Sequence, residues 1–446
     1  MHTKSKHKTK TITLYEYQKC SYDEISGFHV DRILDSIENL NKASNSTLFQ
    51  LGRDHLTATQ FVGMIQVEDV VIEILPKIDY TFCGELADAN YQTAAANLLV
   101  MLAYAYNIKL DSHTVSSLKA VSGNWYELLI RFFAIELYKQ IEIGLSRDYQ
   151  IRSDCLPFIR GKWEVSQQIR RHAYSKVNFD LTFDEFTDNI LLNRIFYTIT
   201  NQLLRQTQDS VSRRLLIDIR RWLAGVDELV EVNNEVLDQI HFSRLNERFK
   251  PAFQLARLFL SGQSLQIRSG DTTAYAFVFD MNDLFEGFIT NFLIKHRREI
   301  FHAYQTIPKI YSQLSNASTY LAKDSFGNRR IHLRPDIVLV NPMTQTHQLI
   351  IDTKYKQLNA EKSNLNLSNS DIYQMLAYSL RLSSDKVLLL YPESNNQQPI
   401  NSHLIIPHDE TTTNLYIRTV NLHQNLDDPR NLIEDFRLIF HPIFGG

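Results

Sequence analysis

Apolar and polar positions alternate with a period of two along Thr11–Tyr17, Thr47–Gly52, Thr59–Gln66 and Val70–Leu75. These segments are rich in Thr, Val, Ile and Phe and are separated by charged or glycine breaks, which predicts strands. The last two read as a hairpin turning at Val67–Asp69. From about residue 88 the period lengthens. Tyr91–Asn107 and Trp125–Leu145 carry apolar residues three and four apart over helical lengths. Asn189–Gln206, Ser210–Ala224, Val230–Gln239 and Pro251–Leu260 continue that pattern, crossed by one extended piece, Tyr149–Trp163. After about 265 the two periods mix. Thr272–Phe279, Arg330–Val340, His347–Gln357, Lys386–Tyr391 and Leu415–Leu422 read as strands, and Asn282–Arg298, Asp371–Ser383 and Pro429–Phe440 as helices. The polar stretches Asn359–Ser370 and Glu393–Ser402 read as exposed loops. The pattern predicts a multidomain α+β chain: a β-rich N-terminal domain over 1–85, a mainly helical middle over 86–264, and an α/β domain over 265–446.

Length agrees, since 446 residues exceed the usual size of one domain. With 44% hydrophobic and 22% charged residues the composition is globular rather than disordered. The 47 Lys and Arg against 50 Asp and Glu exclude a uniformly basic nucleic-acid coat but leave room for a local basic face. Cys20, Cys83 and Cys155 are too few and too scattered for a disulfide framework or a CxxC metal site, as expected of reduced thiols in a cytoplasmic protein. Ala94–Tyr106 is the most apolar stretch and falls short of the roughly 20 residues of a membrane span, so no membrane partner is expected.

The chemistry-bearing segment is Arg334-Pro335-Asp336-Ile337-Val338 followed by Ile350-Ile351-Asp352-Thr353-Lys354. Asn341–Thr346 between them supplies turn residues and predicts an antiparallel hairpin. A turn centred near Thr344 pairs positions whose numbers sum to about 688, which sets Asp336 opposite Asp352. Side chains alternate along a strand, so Arg334, Asp336, Asp352 and Lys354 are expected on one face. Leu333, Ile337, Leu339, Leu349 and Ile351 are then expected on the other. Facing like charges destabilise a sheet unless something binds between them. A divalent cation such as Mg²⁺ suits hard carboxylate oxygens, and a lysine beside it can stabilise charge on a phosphate in transit. The plain alternative is a surface hairpin in which Lys354 neutralises the two acids. Three further features bear on the choice. Glu286 lies among apolar neighbours on the helix Asp280–Ile289, either pointing outward or serving a site. Asp371, Gln374 and Tyr378 share a helix face, where Asp371 could be a cap and Tyr378 core. Residues 285–335 hold eight Lys and Arg against three Asp and Glu, an excess suited to phosphates or to a solvated face.

The order Glu286, Asp336, Asp352-Thr353-Lys354, Gln374 resembles the PD-(D/E)XK nuclease superfamily. Four further segments resemble, more narrowly, the McrC family, nuclease subunits of McrBC modified-cytosine restriction systems. They are Val71–Ile78, Ile159-Arg160-Gly161-Lys162, Asp184–Asn189 leading to Asn193-Arg194, and Phe279–Glu286. The resemblance spans roughly residues 60 to 380. It implies a restriction-endonuclease-like C-terminal domain and Mg²⁺ held by Asp336 and Asp352, with Glu286 the upstream acid. It implies Lys354 as base or electrostatic partner and Gln374 as the position after the core. It also implies a DNA endonuclease that cuts DNA containing modified cytosine and stimulates an McrB-like AAA+ GTPase ring, with the N-terminal domain as the docking element. No GxxxxGK[ST] phosphate loop occurs, in keeping with a separate GTPase. Two alternatives stand beside this reading: a stand-alone nuclease of another defence or repair pathway, and a non-catalytic assembly factor of the same fold. The absence of a helix-turn-helix or zinc-finger pattern in the long N-terminal part favours dependence on a partner.

Overall fold

The computed structural model describes residues 10–25, 30–44, 46–67, 70–77, 87–108, 125–172, 178–261, 265–269, 272–313, 320–358, 365–393, 398–408 and 411–445. The basic lead before Lys10, the turn at 68–69, Cys83, and parts of the two polar stretches (359–364 and 394–397) lie outside the described residues.

In chain order the N-terminal elements are β1 (Lys10–Tyr15), β2 (Lys19–Ser21), α1 (Val30–Ser44), β3 (Phe49–Leu51), β4 (His55–Ala58), β5 (Phe61–Val67), β6 (Val70–Leu75) and α2 (Ala87–Ala105). There follow α3 (Trp125–Ile143), β7 (Asp148–Leu156), β8 (Lys162–Trp163), α4 (Val165–His172), β9 (Phe179–Thr187), α5 (Leu191–Gln206), α6 (Ser210–Trp222) and α7 (Lys250–Ser261). Then come β10 (Leu265–Ser269), β11 (Thr272–Asp280), α8 (Met281–Ile300), β12 (Lys309–Ser312), β13 (Tyr320–Lys323), β14 (Arg329–His332), β15 (Ile337–Val340) and β16 (His347–Thr353). The chain closes with α9 (Asn369–Leu382), β17 (Lys386–Pro392), β18 (Asn401–His408), β19 (Thr411–Val420) and α10 (Pro429–Phe444). It is a mixed α/β chain with two compact units, one of residues 1–125 with 262–446, the other of residues 126–261.

In the first unit a five-stranded sheet runs β1-β6-β5-β11-β10. The expected hairpin is present, pairing Val67 with Val70 and Gly63 with Ile74. Its other edge pairs with β11, Ala274 to Val67 through Asp280 to Phe61, so a strand placed by sequence in the C-terminal domain completes the N-terminal sheet. Gly63 makes this ladder possible: its φ is +148°, and a Cβ there would lie 2.2 Å from the Phe277 carbonyl oxygen. Helix α1, which the sequence pattern did not predict, buries Ile33, Ile37 and Leu40 in a core shared with Ile12, Ile65, Ile72, Ala276 and Val278.

A second sheet runs β12-β15-β16-β17-β19-β18, with parallel pairing of β17 to β16 and to β19. A strand expected over Arg330–Val340 is two strands: β14 pairs with β13 in a separate ribbon, and β15 starts after Pro335. Proline lacks the N–H a ladder needs, and this breaks the strand beside Asp336. Helix α8 packs on α2, where a Cβ on Gly287 would stand 3.2 Å from that of Ala105. Buried Asn97 of α2 donates to the carbonyls of Leu422 (3.1 Å) and Gln424 (3.0 Å), tying α2 to the segment after β19.

The second unit is less purely helical than its pattern suggests. The extended piece becomes β7, which forms a nine-pair antiparallel ladder with β9. Elsewhere in the unit Phe133 of α3, Phe196 of α5 and Phe259 of α7 are buried, with Phe133 and Phe259 in edge contact at 6.0 Å between centroids. The helix expected over Val230–Gln239 is only Asn234–Asp238. Asn193, fully buried, donates to the carbonyls of Ser146 (2.8 Å) and Asp188 (2.7 Å) and fixes the start of α5 against the end of β9.

Candidate active site

The β15–β16 hairpin has the register the turn predicts: Ile337 faces Ile351, Val338 faces Ile350 and Leu339 faces Leu349, each pair summing to 688. A bulge shifts the ladder only at Val340. The turn is stabilised by the Asn341 side chain, whose Oδ1 accepts from Met343 N (2.9 Å), and by Gln345 in the left-handed region, φ 58°. Neither face of this hairpin is bare. All of Ile337–Val340 and Leu349–Thr353 are buried. The face that carries Asp352 continues as Val338, Val340 and Ile350, packed with Met375, Tyr378 and Leu382 of α9. The acids therefore sit at the end of a core face rather than on an open polar one.

There Asp336 precedes β15, and its Oδ2 accepts both the backbone N–H and the hydroxyl of Thr353, each at 2.7 Å. Asp352 is 1% exposed. Its Oδ2 lies 2.7 Å from Lys354 Nζ as an ion pair, yet neither carboxylate oxygen accepts a well-directed hydrogen bond among the described residues. Burial and then the negative charge of Asp336 push the Asp352 carboxyl up to about 7, against the attraction of Lys354. Burial also raises Asp336, opposed by the two hydrogen bonds from Thr353.

Burial works against the charge on Lys354, but Asp352, Asp371 and Asp336 more than compensate and hold its amine above the usual lysine range. Lys354 Nζ donates to Gln374 Oε1 at 3.2 Å. Gln374 Nε2 then donates to Tyr378 Oη (2.7 Å), which donates to the Arg334 carbonyl (3.0 Å). Gln374 is thus joined to the cluster. Arg334 contributes only that carbonyl, its residue being exposed. Asp371 is not the cap of α9, a position held by Ser368; it is buried and meets Lys356 Nζ at 3.2 Å.

Glu286, on α8, is half-buried. Burial and then Asp336 raise its carboxyl, which accepts from Gln313 Nε2 at 2.9 Å. Among the described residues no three or more Asp, Glu, His or Cys side chains form a ready-made metal cage, so Glu286 is not gathered with Asp336 and Asp352 in that way. Gln313 carries no sequence signal that marks it out. With φ 42° it turns its own N–H onto the Asp336 carbonyl (2.9 Å) while its side chain holds Glu286. A second unforeseen element is Glu16, buried beside β1. Its Oε2 accepts from Tyr355 Oη (2.9 Å) and Lys77 N (3.0 Å), and burial raises its carboxyl to about 7. The Tyr355 ring also packs on Phe285, with centroids 5.8 Å apart, next to Glu286.

The family model for McrBC 5-methylcytosine restriction system components matches residues 56–392, most of the chain, including Glu286, Asp336, Asp352, Lys354 and Gln374 but not Glu16. The chain belongs to that family. It is 24% identical over 331 residues, 71% of its own length and 86% of the relative's, to the type IV methyl-directed restriction enzyme EcoKMcrBC of Escherichia coli K12. Its fold matches a chain of the half-complex of Thermococcus gammatolerans McrB AAA+ hexamers with bound McrC, at a TM-score of 0.67 and 24% identity. That match covers 98% of this chain and all of the other. A chain of the Thermococcus gammatolerans McrBC complex matches 64% of this chain and 88% of its own length, at 27% identity and a TM-score of 0.51. Among the described residues no helix is long and apolar enough to cross a membrane.

Proposed function

We propose that this chain is the DNA endonuclease subunit of a modification-dependent restriction system, a PD-(D/E)XK hydrolase that cuts DNA containing 5-methylcytosine with Mg²⁺. We further propose that it acts with an McrB-like AAA+ ring and stimulates its GTPase. The observation that carries the nuclease reading is Asp352: a carboxylate only 1% exposed, paired with Lys354 at 2.7 Å and set beside a second acid. One lysine does not balance two neighbouring buried acids, and a hard cation removes the remaining penalty. Asp352 and the free oxygen of Asp336 suit Mg²⁺, which takes one or two protein carboxylates and fills its remaining positions with water and substrate oxygens. Glu286 is the third candidate ligand.

Bound there, Mg²⁺ would polarise the phosphate and lower the pKa of a water molecule. The chain's own groups do the rest. Thr353 holds Asp336 in place through two hydrogen bonds. Lys354, kept charged by its acidic neighbours, offsets negative charge that builds on the phosphate, which favours an electrostatic role over that of a base. Gln374 orients the lysine, and Tyr378 orients Gln374. Partnership with the ring draws on the family and on the fold shared with the Thermococcus assembly.

Reconstitution with the cognate GTPase and methylated DNA tests both parts. Asp352→Ala and Lys354→Ala are expected to abolish Mg²⁺-dependent cleavage while GTPase stimulation persists. Undiminished cleavage refutes the site, and wild-type cleavage without any GTPase present refutes the partnership.

A further inference from the structure

Within the unit of residues 126–261, α5 and α6 form an antiparallel pair joined by residues 207–209, with a hollow of about 660 Å³ between them. Its lining includes Arg205, Tyr197 and Asn201 from α5 and Arg213, Arg220 and Arg221 from α6, with Leu204 and Ile217 as apolar floor, and no acidic residue. Four guanidinium groups around one hollow repel each other unless an anion lies among them. Two are already engaged: Arg213 donates to the Thr207 carbonyl, and Arg221 pairs with Asp218 at 3.2 Å. The Arg221 pair is exposed and holds the charge only weakly. Arg205 and Arg220 are exposed and make no hydrogen bond or ion pair among the described residues, so their donors are available to a ligand.

We propose that this hollow is a second phosphate-binding surface that takes the backbone of a DNA strand, apart from the carboxylate cluster. Spacing selects a strand over a compact anion. Arg213 and Arg220 lie seven residues apart on α6, or about 10 Å at 1.5 Å per residue. Arg205 lies at the Arg213 end of the hollow because the helices are antiparallel. Phosphates follow one another at regular intervals along a DNA strand, so neighbouring phosphates of one strand reach the Arg205–Arg213 end and the Arg220 end together. A free triphosphate places its charges at one end only. Guanidinium donors in pairs suit phosphate oxygens, and contacts of this kind position a duplex without reading its sequence. The inference takes DNA as the substrate from the proposed function, but its test reads binding, which can fail or succeed whatever becomes of cleavage.

The wild-type chain, with a chelator present to prevent cleavage, is treated with an arginine-selective dicarbonyl reagent and mapped by mass spectrometry. A short duplex is expected to protect Arg205 and Arg220 and to leave exposed Arg244 reactive. No protection, or equal protection by inorganic triphosphate or polyglutamate at the same charge concentration, overturns the proposal. In parallel, Arg205→Ala/Arg220→Ala, which removes two exposed side chains, is expected to reduce the slope of log affinity against log salt by about two. It should also weaken duplex binding about tenfold or more near 0.1 M salt. Arg205→Lys/Arg220→Lys is expected to keep most of that slope. An unchanged slope in the alanine variant overturns the proposal.

Discussion

Replacing Asp352 with Asn isolates the energetic state of the site. In the folded protein its carboxyl titrates at about 7 instead of the ordinary 3.8. At 1.36 kcal/mol per pKa unit that gap is worth about 4 kcal/mol. The sign follows from proton binding: between about pH 4 and 7 the folded state holds the proton and the unfolded state has lost it, so stability falls as pH rises through this window. The penalty of the charge is below about 1 kcal/mol at pH 4, about 2 at pH 5 and about 4 at pH 8. Asparagine carries no such charge, but it buries an amide lacking partners, a loss of about 1–3 kcal/mol. That loss varies little with pH while Lys354 stays charged. The difference in stability between Asp352→Asn and wild type should therefore move in favour of the variant by about 2–3 kcal/mol from pH 5 to pH 8. Urea denaturation of both proteins at the two pH values, without divalent cations, measures it. A difference that does not change with pH refutes the assignment of a high carboxyl pKa to Asp352. Added Mg²⁺ should then stabilise wild type at pH 8 and leave the variant unmoved, since a ligand raises stability only where it binds.

Other outcomes follow from single contacts. Thr353→Val removes the hydroxyl donor to Asp336 but keeps the backbone one; cleavage by the reconstituted complex is expected to fall about tenfold with stability altered by about 1 kcal/mol. Gln313→Ala frees Glu286, and steady-state assays should show reduced turnover with the midpoint of thermal unfolding little changed, because Gln313 is exposed. Gly63→Ala forces a Cβ onto the Phe277 carbonyl and is expected to destabilise the first unit by about 3 kcal/mol or more, read by denaturant midpoint. Tyr355→Phe removes a donor to Glu16 at about 1–3 kcal/mol. Because burial raises Glu16 to about 7, that loss should appear above pH 7 and shrink below it, where the acid is protonated.

The parts of the site encoded within a short stretch were legible in the sequence. Turn chemistry at Asn341–Thr346 and period-two alternation were enough to place Asp336 across from Asp352, because a hairpin's register is set locally. What surrounds them was not legible. Gln313 and Glu16 reach the site from 27 and 339 residues away in sequence, through Glu286 and Tyr355, and nothing in their own neighbours signals it. The pairing of β11 with β5 is of the same kind: each strand is recognisable alone, but its partner is settled by tertiary packing. Helix α1 and strand β9 were missed for a different reason. Their signals are present in the chain, since Val30, Ile33, Leu34, Ile37 and Leu40 recur three and four apart and Phe179, Leu181 and Phe183 alternate, but both segments are short and interleaved with charge. Removing residues 1–80 is accordingly a poor test of partner docking, since it takes three strands from the sheet that holds β11.

That interleaving also sets the order in which the molecule can be built. About 200 residues separate the end of β5 from the start of β11, and a ribosome adding roughly 5–20 residues each second needs about 10–40 s to cover that interval. For all of it the nascent chain carries Phe-Val-Gly-Met-Ile-Gln-Val with one hydrogen-bonding edge open, a strand of the kind that recruits foreign strands in a crowded cell. The middle unit is synthesised in that gap, so the earliest strands must be shielded until their own partner emerges.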